Sequence, residues 1–380
     1  MEERYFGEHV KKLGFGLMRL PKKGLGIDIE QTAQMAQAFL EAGCTYFDTA
    51  FVYLGSEEAA RKALVERVPR ESYTLATKLM ATAVPTASLA RKELDTSLKR
   101  TGAGYFDYYL LHSLMESNYE KYEKFKLWDF VKEEKARGRI RHYGFSFHGS
   151  PELLDRLLTA HPDAEFVQLQ INYADWENPK VRSRECYETA RAHGKSIVVM
   201  EPVKGGKLAD PPEEVKKIFD RVNPGASYAS WGIRFAASLD GILTVLSGMS
   251  DMAQMQDNLS FMKDFTPLNE EERAAIHEAQ QVFHRSKSIP CTHCGYCLEG
   301  CPQQIQIPDV FAARNLQLEN GRIEAGREAY RAAAAQGGDP ASCVKCHKCE
   351  KVCPQHLSIA SLVAQCVQAC ADDGAGAAQG

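Results

Sequence analysis

The sequence predicts an α/β fold, a closed (β/α)8 TIM barrel, followed by a small, mainly helical, cysteine-rich domain. Three observations predict it. Short apolar runs alternate with amphipathic helical stretches through residues 1–283. Strands alternating with helices pair in parallel, and eight such units close into a barrel. No Gly-x-Gly-x-x-Gly follows an early strand, which weighs against the alternative of a doubly wound open sheet. Finally, eight of the twelve cysteines fall near the C-terminus in two copies of one spacing. A chain of 380 residues exceeds the usual limit of one core, so a large domain plus a small one is expected.

The strand runs lie near 13–18, 44–49, 73–78, 105–112, 140–146, 165–171, 196–200 and 242–247. Helical patterns fill the gaps. The segment 29–42 stops at Gly43, and Gly102 and Gly194 close two more helices. Ser150-Pro151-Glu152 reads as N-cap, first-position proline and first-turn acid, with Leu153, Leu154, Leu157 and Leu158 on one face behind it. The stretch Phe283 to Pro290 reads as a linker. Residues 302–342 look helical, with an alanine run at Ala332 to Ala335, and the last ten residues read as a frayed tail. The expected units are 1–283, 284–370 and 371–380.

Composition excludes several functions. Apolar residues make up 44% and charged ones 25%, ordinary for a globular protein. A net charge of −4 gives no basic footprint for nucleic acid. Met1 to Tyr5 lacks the apolar core of a signal peptide, and no apolar run approaches the ~18 residues of a membrane span. A cytoplasmic protein is expected. In that reducing compartment clustered cysteines bind metal more often than they form disulfides.

The cysteine runs are Cys291-x2-Cys294-x2-Cys297-x3-Cys301-Pro302 and Cys343-x2-Cys346-x2-Cys349-x3-Cys353-Pro354. This spacing lets successive thiolates wrap a cubane 4Fe–4S cluster, and the fourth cysteine of each run serves the other cluster in two-cluster ferredoxins. One cluster then takes Cys291, Cys294, Cys297 and Cys353. The other takes Cys343, Cys346, Cys349 and Cys301. Structural zinc prefers paired knuckles to three evenly spaced thiols with a distal fourth. Cys44, Cys186, Cys366 and Cys370 lack such spacing and read as buried and inert.

Polar residues fall where barrel strands end, the face on which barrel chemistry sits. Asp48 closes the second strand, Tyr53 follows in its loop, Lys78 closes the third and His112 the fourth. Singly, each has a bland reading as cap, packing residue, solvated cation or core histidine. Together they suit protonation of a carbonyl oxygen while hydride reaches carbon. A phenol of pKa ~10 is a poor acid at neutral pH. A neighbouring ammonium is expected to lower that value and an aspartate to fix the ammonium, while a histidine holds the carbonyl oxygen.

These residues carry a resemblance. Phe47-Asp48-Thr49-Ala50…Tyr53…Ser56-Glu57, Ala76-Thr77-Lys78, and Ser97-Leu98-Lys99-Arg100…Phe106-Asp107-Tyr108-Tyr109-Leu110-Leu111-His112 resemble, in order, the motifs of the aldo-keto reductases. The whole chain is similar to the subgroup with a C-terminal ferredoxin-like domain carrying two 4Fe–4S clusters. The resemblance implies a tetrad of Asp48, Tyr53, Lys78 and His112 with Tyr53 as general acid–base, a nicotinamide cofactor, and a small-molecule carbonyl substrate. It implies that Ser146, in Gly144-Phe145-Ser146, and Gln168 hold the nicotinamide amide. Phe147 stands where the family often has asparagine, with His148 beside it as a substitute. Met200 replaces a ring-stacking tyrosine, and Asn258 matches an adenine-end asparagine. NADP-binding members place basic residues near Gly248 and Gln254. Neither position is basic here, nor are Met249 and Ser250; the resemblance implies NADP(H), with NAD(H) as the alternative. Phe51, Val52 and Trp128 are candidate pocket walls, with aromatic packing away from substrate as the alternative reading.

Three roles for the clusters compete: structural pins beside an ordinary NAD(P)H reductase, relays serving an electron-transfer partner protein, or centres of an electron carrier whose barrel only binds a cofactor or partner. The intact tetrad argues against the last.

Overall fold

The computed structural model describes residues 10–370. The expected tail, 371–380, and the N-terminal residues 1–9 lie outside the described residues. Eight parallel strands close the barrel: β1 (Leu13–Gly16), β2 (Tyr46–Asp48), β3 (Thr74–Leu79), β4 (Phe106–Leu114), β5 (Ile140–Phe147), β6 (Phe166–Gln170), β7 (Ser196–Met200) and β8 (Ile242–Ser247). Each lies within one of the eight expected runs or overlaps it. β1 pairs with both β8 and β2, so among the described strands of the barrel there is no open edge.

Successive side chains of a strand alternate between faces, and this period explains how one sequence builds both a core and a site. Tyr46, Ala76, Tyr108, Leu110, Phe166 and Val198 form a buried cluster with Leu243 and Leu246. Asp48, Lys78, His112 and Gln168 follow two residues beyond Tyr46, Ala76, Leu110 and Phe166, so they continue the same face toward the C-terminal mouth. Register locks the upper layer: Asp48 pairs with Ala76, Lys78 with Leu110, and Ser146 with Gln168. Gly144 makes room beneath them, since a Cβ there would lie 2.2 Å from the Phe166 carbonyl oxygen. The opposite strand faces pack under the helices through Phe15, Phe47, Leu75, Tyr109, Leu111 and their neighbours.

Local signals set the helix ends. Asp28, Thr86, Ser150, Ser227 and Asp251 accept backbone N–H bonds at N-termini. The helix Glu270–Arg285 starts with a capping box of Asn269 and Glu272, and Arg234 clamps Glu272 at 2.6 and 2.9 Å. That helix runs to Arg285, into the stretch read from sequence as linker. Helices Ile307–Asn320, Ile323–Gln336 and Ile359–Cys370 then build the second unit. Val310, Phe311, Ala333, Val363 and Cys366 form its core together with Cys297 and Cys353. Cys44, Cys186, Cys366 and Cys370 are all buried.

The second unit sits on the mouth of the barrel. Arg19 donates to the Thr292 carbonyl at 3.2 Å, Lys207 to the Ile289 carbonyl at 3.1 Å, and Lys204 to Gln355 at 3.1 Å. Gly205 has φ +66°, and a Cβ there would lie 2.3 Å from the Thr292 carbonyl oxygen. Only glycine combines that backbone conformation with so close an approach.

Candidate active site and cysteine chambers

Lys78 is 1% exposed, and its ammonium bonds the Asp48 carboxylate and, at 2.7 Å, the Thr49 carbonyl. It lies 5.1 Å from the centre of the Tyr53 ring. Tyr53 meets His112 edge-on, with ring centres 5.8 Å apart at 81°. The loop carrying Tyr53 is pinned from outside. Arg100 donates to the Phe51 carbonyl at 3.0 Å and to buried Glu57 at 3.2 Å, and Glu57 accepts from Thr77 at 2.8 Å. The fold thus brings all four expected tetrad residues together.

Burial sets their charges. It raises Asp48 and lowers Lys78, and in each case the other partner opposes the shift. His112 is held well below the usual imidazole range by burial, then by Lys78 and His148, so it is neutral. Its Nδ1 has no partner. Tyr53 departs from expectation. Burial, followed by Tyr296 and Asp48, pushes its phenol well above the usual value. The Lys78 ammonium does not acidify it, because desolvation of a would-be phenolate outweighs a cation already committed to Asp48.

Tyr296 comes from the second unit, between Cys294 and Cys297, and its phenol is hydrogen-bonded to that of Tyr53. Beside them Glu201 sits at the end of β7 with φ +55°. Thr292 donates to its Oε1 at 3.3 Å, and its buried Oε2 is unpartnered. Burial pushes this carboxyl up to about 7, with Lys204 opposing.

Two chambers lie in the second unit. One of ≈ 340 Å³ is lined by Cys291, Cys294, Cys297 and Cys353. The other, of ≈ 380 Å³, is lined by Cys301, Cys343, Cys346 and Cys349. Each combines three thiols of one run with the fourth of the other, the crossed arrangement expected from spacing. Among the described residues no group of three or more His, Cys, Asp or Glu side chains converges on a single metal ion. Four thiols spread around a chamber are the donor set of a cubane rather than of tetrahedral zinc.

Residues 12–281 match the aldo/keto reductase family, and residues 290–359 match a 4Fe-4S dicluster domain. The chain belongs to the aldo/keto reductase family. An aldo-keto reductase of Mycobacterium avium is 27% identical over 273 residues, 70% of this chain and 89% of that protein. The holo form of an aldo-keto reductase from Bacillus halodurans superposes with a TM-score of 0.59 at 25% identity, covering 72% of this chain and 93% of that one. A Klebsiella pneumoniae aldo/keto reductase solved with NADP and acetate shares the fold at 20% identity, with a TM-score of 0.59, 73% of this chain and 93% of that one.

The remaining expected positions divide. Gln168 reaches the mouth, faces Asp48 and leaves Oε1 buried without a partner. Ser146 lies next to it and accepts from the Ser113 N–H at 2.7 Å. Met200 is half-buried at the end of β7. The orphaned Gln168 oxygen beside a hydroxyl fits a carboxamide. Asn258 is buried and donates to Ser247 at 2.6 Å, and Gln254 accepts from the Ser250 N–H at 2.8 Å. His148 is half-buried, and desolvation, then His356, lowers its imidazole to about 3. Phe51 lies under Arg100, 4.7 Å away, and Val52 is half-buried beside it. Trp128 is not a pocket wall. It is buried 4.0 Å from the His161 ring and 5.4 Å from Phe145, under the helical layer.

Three residues at this family member's mouth escaped sequence reasoning. The Arg19 stem runs past Gly248, where a Cβ would lie 3.6 Å from it, and its carbonyl accepts from the Ser250 hydroxyl, so a cation does stand at the loop that lacks basic residues of its own. Glu201 and Tyr296 are the others. Glu201 stands at a strand end, which its position after Met200 could have shown, whereas only the docking of the second unit brings Tyr296 in.

Proposed function

We propose that this protein is an NAD(P)H-dependent reductase of small-molecule carbonyls in which Tyr53 donates the proton. The observation that carries the reading is the buried Lys78–Asp48 pair beneath a neutral phenol that stands edge-on to a neutral imidazole. Ser146 and Gln168 would hold the nicotinamide carboxamide, Met200 would flank its ring, and Asn258 and Arg19 would face the nucleotide end. When bound, the nicotinamide supplies hydride. His112 receives the carbonyl oxygen by hydrogen bond, having no charge of its own to neutralise. The raised pKa of Tyr53 keeps its proton in place until the carbonyl oxygen gains alkoxide basicity, far above that of a phenolate. The Lys78 ammonium then faces the phenolate, and Asp48 keeps that ammonium from turning away. General acid catalysis of this kind contributes roughly 10²–10⁴-fold. Tyr53→Phe is expected to cost that much in kcat while leaving NADPH binding, read by fluorescence titration, unchanged. An equal loss of both would remove Tyr53 from the proton step.

The same reading assigns one 4Fe–4S cluster to each chamber, about eight iron atoms per chain, in a cytoplasmic setting that keeps the thiols reduced. A relay role for the clusters, with an electron-transfer partner, is favoured by one contact: Tyr296, set between two ligand cysteines, touches Tyr53. Anaerobic iron and sulfide analysis with EPR, then NADH and NADPH titration of the same sample, tests the assignment.

A further inference from the structure

The two chambers face different ways. The first turns toward the barrel. Cys297 and Cys353 are each 8% exposed, and Thr292, Tyr296 and Gln355 from the same loops touch barrel residues. The second turns to solvent. Cys346 is exposed, and the loop from Cys343 to Cys353 leaves Val344 57% and Val352 38% exposed. Lys345, Lys348 and Lys351 are exposed on that loop, and among the described residues none of them is in an ion pair. Its one acid, Glu350, is turned inward, accepting the Ala360 N–H at 2.9 Å and pairing with His347. Glu299, on the neighbouring cysteine loop, is the nearby exposed acid. The result is a cationic rim with two bare valines around the exposed cysteine set, on a chain whose net charge is −4.

We propose that this rim is the docking surface for an acidic one-electron carrier protein, and that an electron passes from the carrier to the second chamber and from there to the first. The proposal rests on the reading that the chambers hold clusters that carry electrons. The surface step is simple: one electron leaves the reduced carrier, which is oxidised by one, and enters the second cluster, which is reduced by one. No bond forms and no proton moves. Lysines steer the encounter, whereas the apolar contact of Val344 and Val352 brings the carrier close to the exposed edge.

The test uses the anaerobic holoprotein and a reduced flavodoxin, an acidic one-electron donor, with cluster bleaching followed by stopped flow. The wild-type rate constant is expected to fall steeply with added salt. Lys345→Glu/Lys348→Glu/Lys351→Glu is expected to lose about 10-fold or more of the low-salt rate and most of the salt dependence. Its iron content, EPR signal and reduction by dithionite stay at wild-type values. If the triple variant assembles its clusters poorly, the wild-type salt slope and the milder Lys345→Gln/Lys348→Gln pair carry the test. A wild-type rate indifferent to salt, a triple variant as fast as wild type, or clusters that flavodoxin does not reduce although dithionite does would each overturn the proposal. Tyr53→Phe separates the two readings, since it slows carbonyl reduction by roughly 10²–10⁴-fold and leaves the flavodoxin rate unchanged.

Discussion

Lys78→Met removes one half of the buried ion pair while keeping an unbranched stem of similar length. Asp48, whose side chain is 5% exposed, then has no cation opposite it. Stripping one partner from a buried pair costs about 3–5 kcal/mol. At roughly 2 °C per kcal/mol for a domain of this size, the barrel's melting point should fall by about 6–10 °C. The loss depends on pH with a definite sign. Burial already raises Asp48, and Lys78 is the main group opposing it. Without that ammonium the folded carboxyl keeps a proton that the unfolded chain, with an ordinary carboxylate near pKa ~3.9, gives up. Unfolding therefore releases a proton, and stability falls as pH rises, by up to ~1.4 kcal/mol per pH unit, until the folded carboxyl ionises. The deficit should be small near pH 4–5 and largest near pH 8. Adding Asp48→Asn should restore most of the loss, because a neutral amide is far cheaper to bury than a bare charge. Anaerobic thermal melts of the holoproteins, followed by far-ultraviolet circular dichroism across this range, read the effect. A single variant melting within about 2 °C of wild type at pH 8, or a deficit that shrinks as pH rises, would refute the assignment of Lys78 and Asp48 as a buried charged pair.

Three further outcomes are expected. Gly205→Ala drives a methyl into the Thr292 carbonyl at a left-handed backbone position, so the second unit should dock loosely, with faster proteolysis between residues 286 and 290 and little change in the barrel's own melting. Glu201→Gln should flatten the dependence of melting temperature on pH between about 5 and 8. The folded carboxyl titrates at about 7, above its ordinary 4.5, so its contribution is fully present below 4.5 and lost as pH rises through 7. Chelating iron after oxidation should empty the chambers of ≈ 340 and ≈ 380 Å³, and hydrogen exchange should then quicken throughout 289–366 while the barrel strands stay protected.

The barrel was legible because its signal is repetitive. Eight apolar runs punctuated by helix caps leave few ways to fold, and each run carries a strand. The grouping of Asp48, Lys78 and His112 was legible because they lie at or near the C-terminal ends of consecutive strands on the inward-facing period of two. The cysteine chambers followed from spacing alone. What escaped depends on tertiary closure. Arg19 and Gly248 are far apart in sequence and meet only because β1 pairs with β8. Tyr296 reads as an incidental residue inside a cysteine run until the second unit is laid across the barrel mouth. The acidity of Tyr53 was misjudged for a related reason: the sequence reveals the neighbouring lysine but not the desolvation that overrules it. Trp128 stayed open between pocket wall and packing because an aromatic ring in a helix carries no mark of whether it faces the mouth or the layer beneath.

The exchange of Cys301 and Cys353 between chambers has a consequence for biogenesis. Neither chamber can gather its four thiols until the ribosome has passed residue 353. The barrel, complete by then, must wait with its opening uncovered. Filling of the two chambers thus follows synthesis of the barrel and of both cysteine runs.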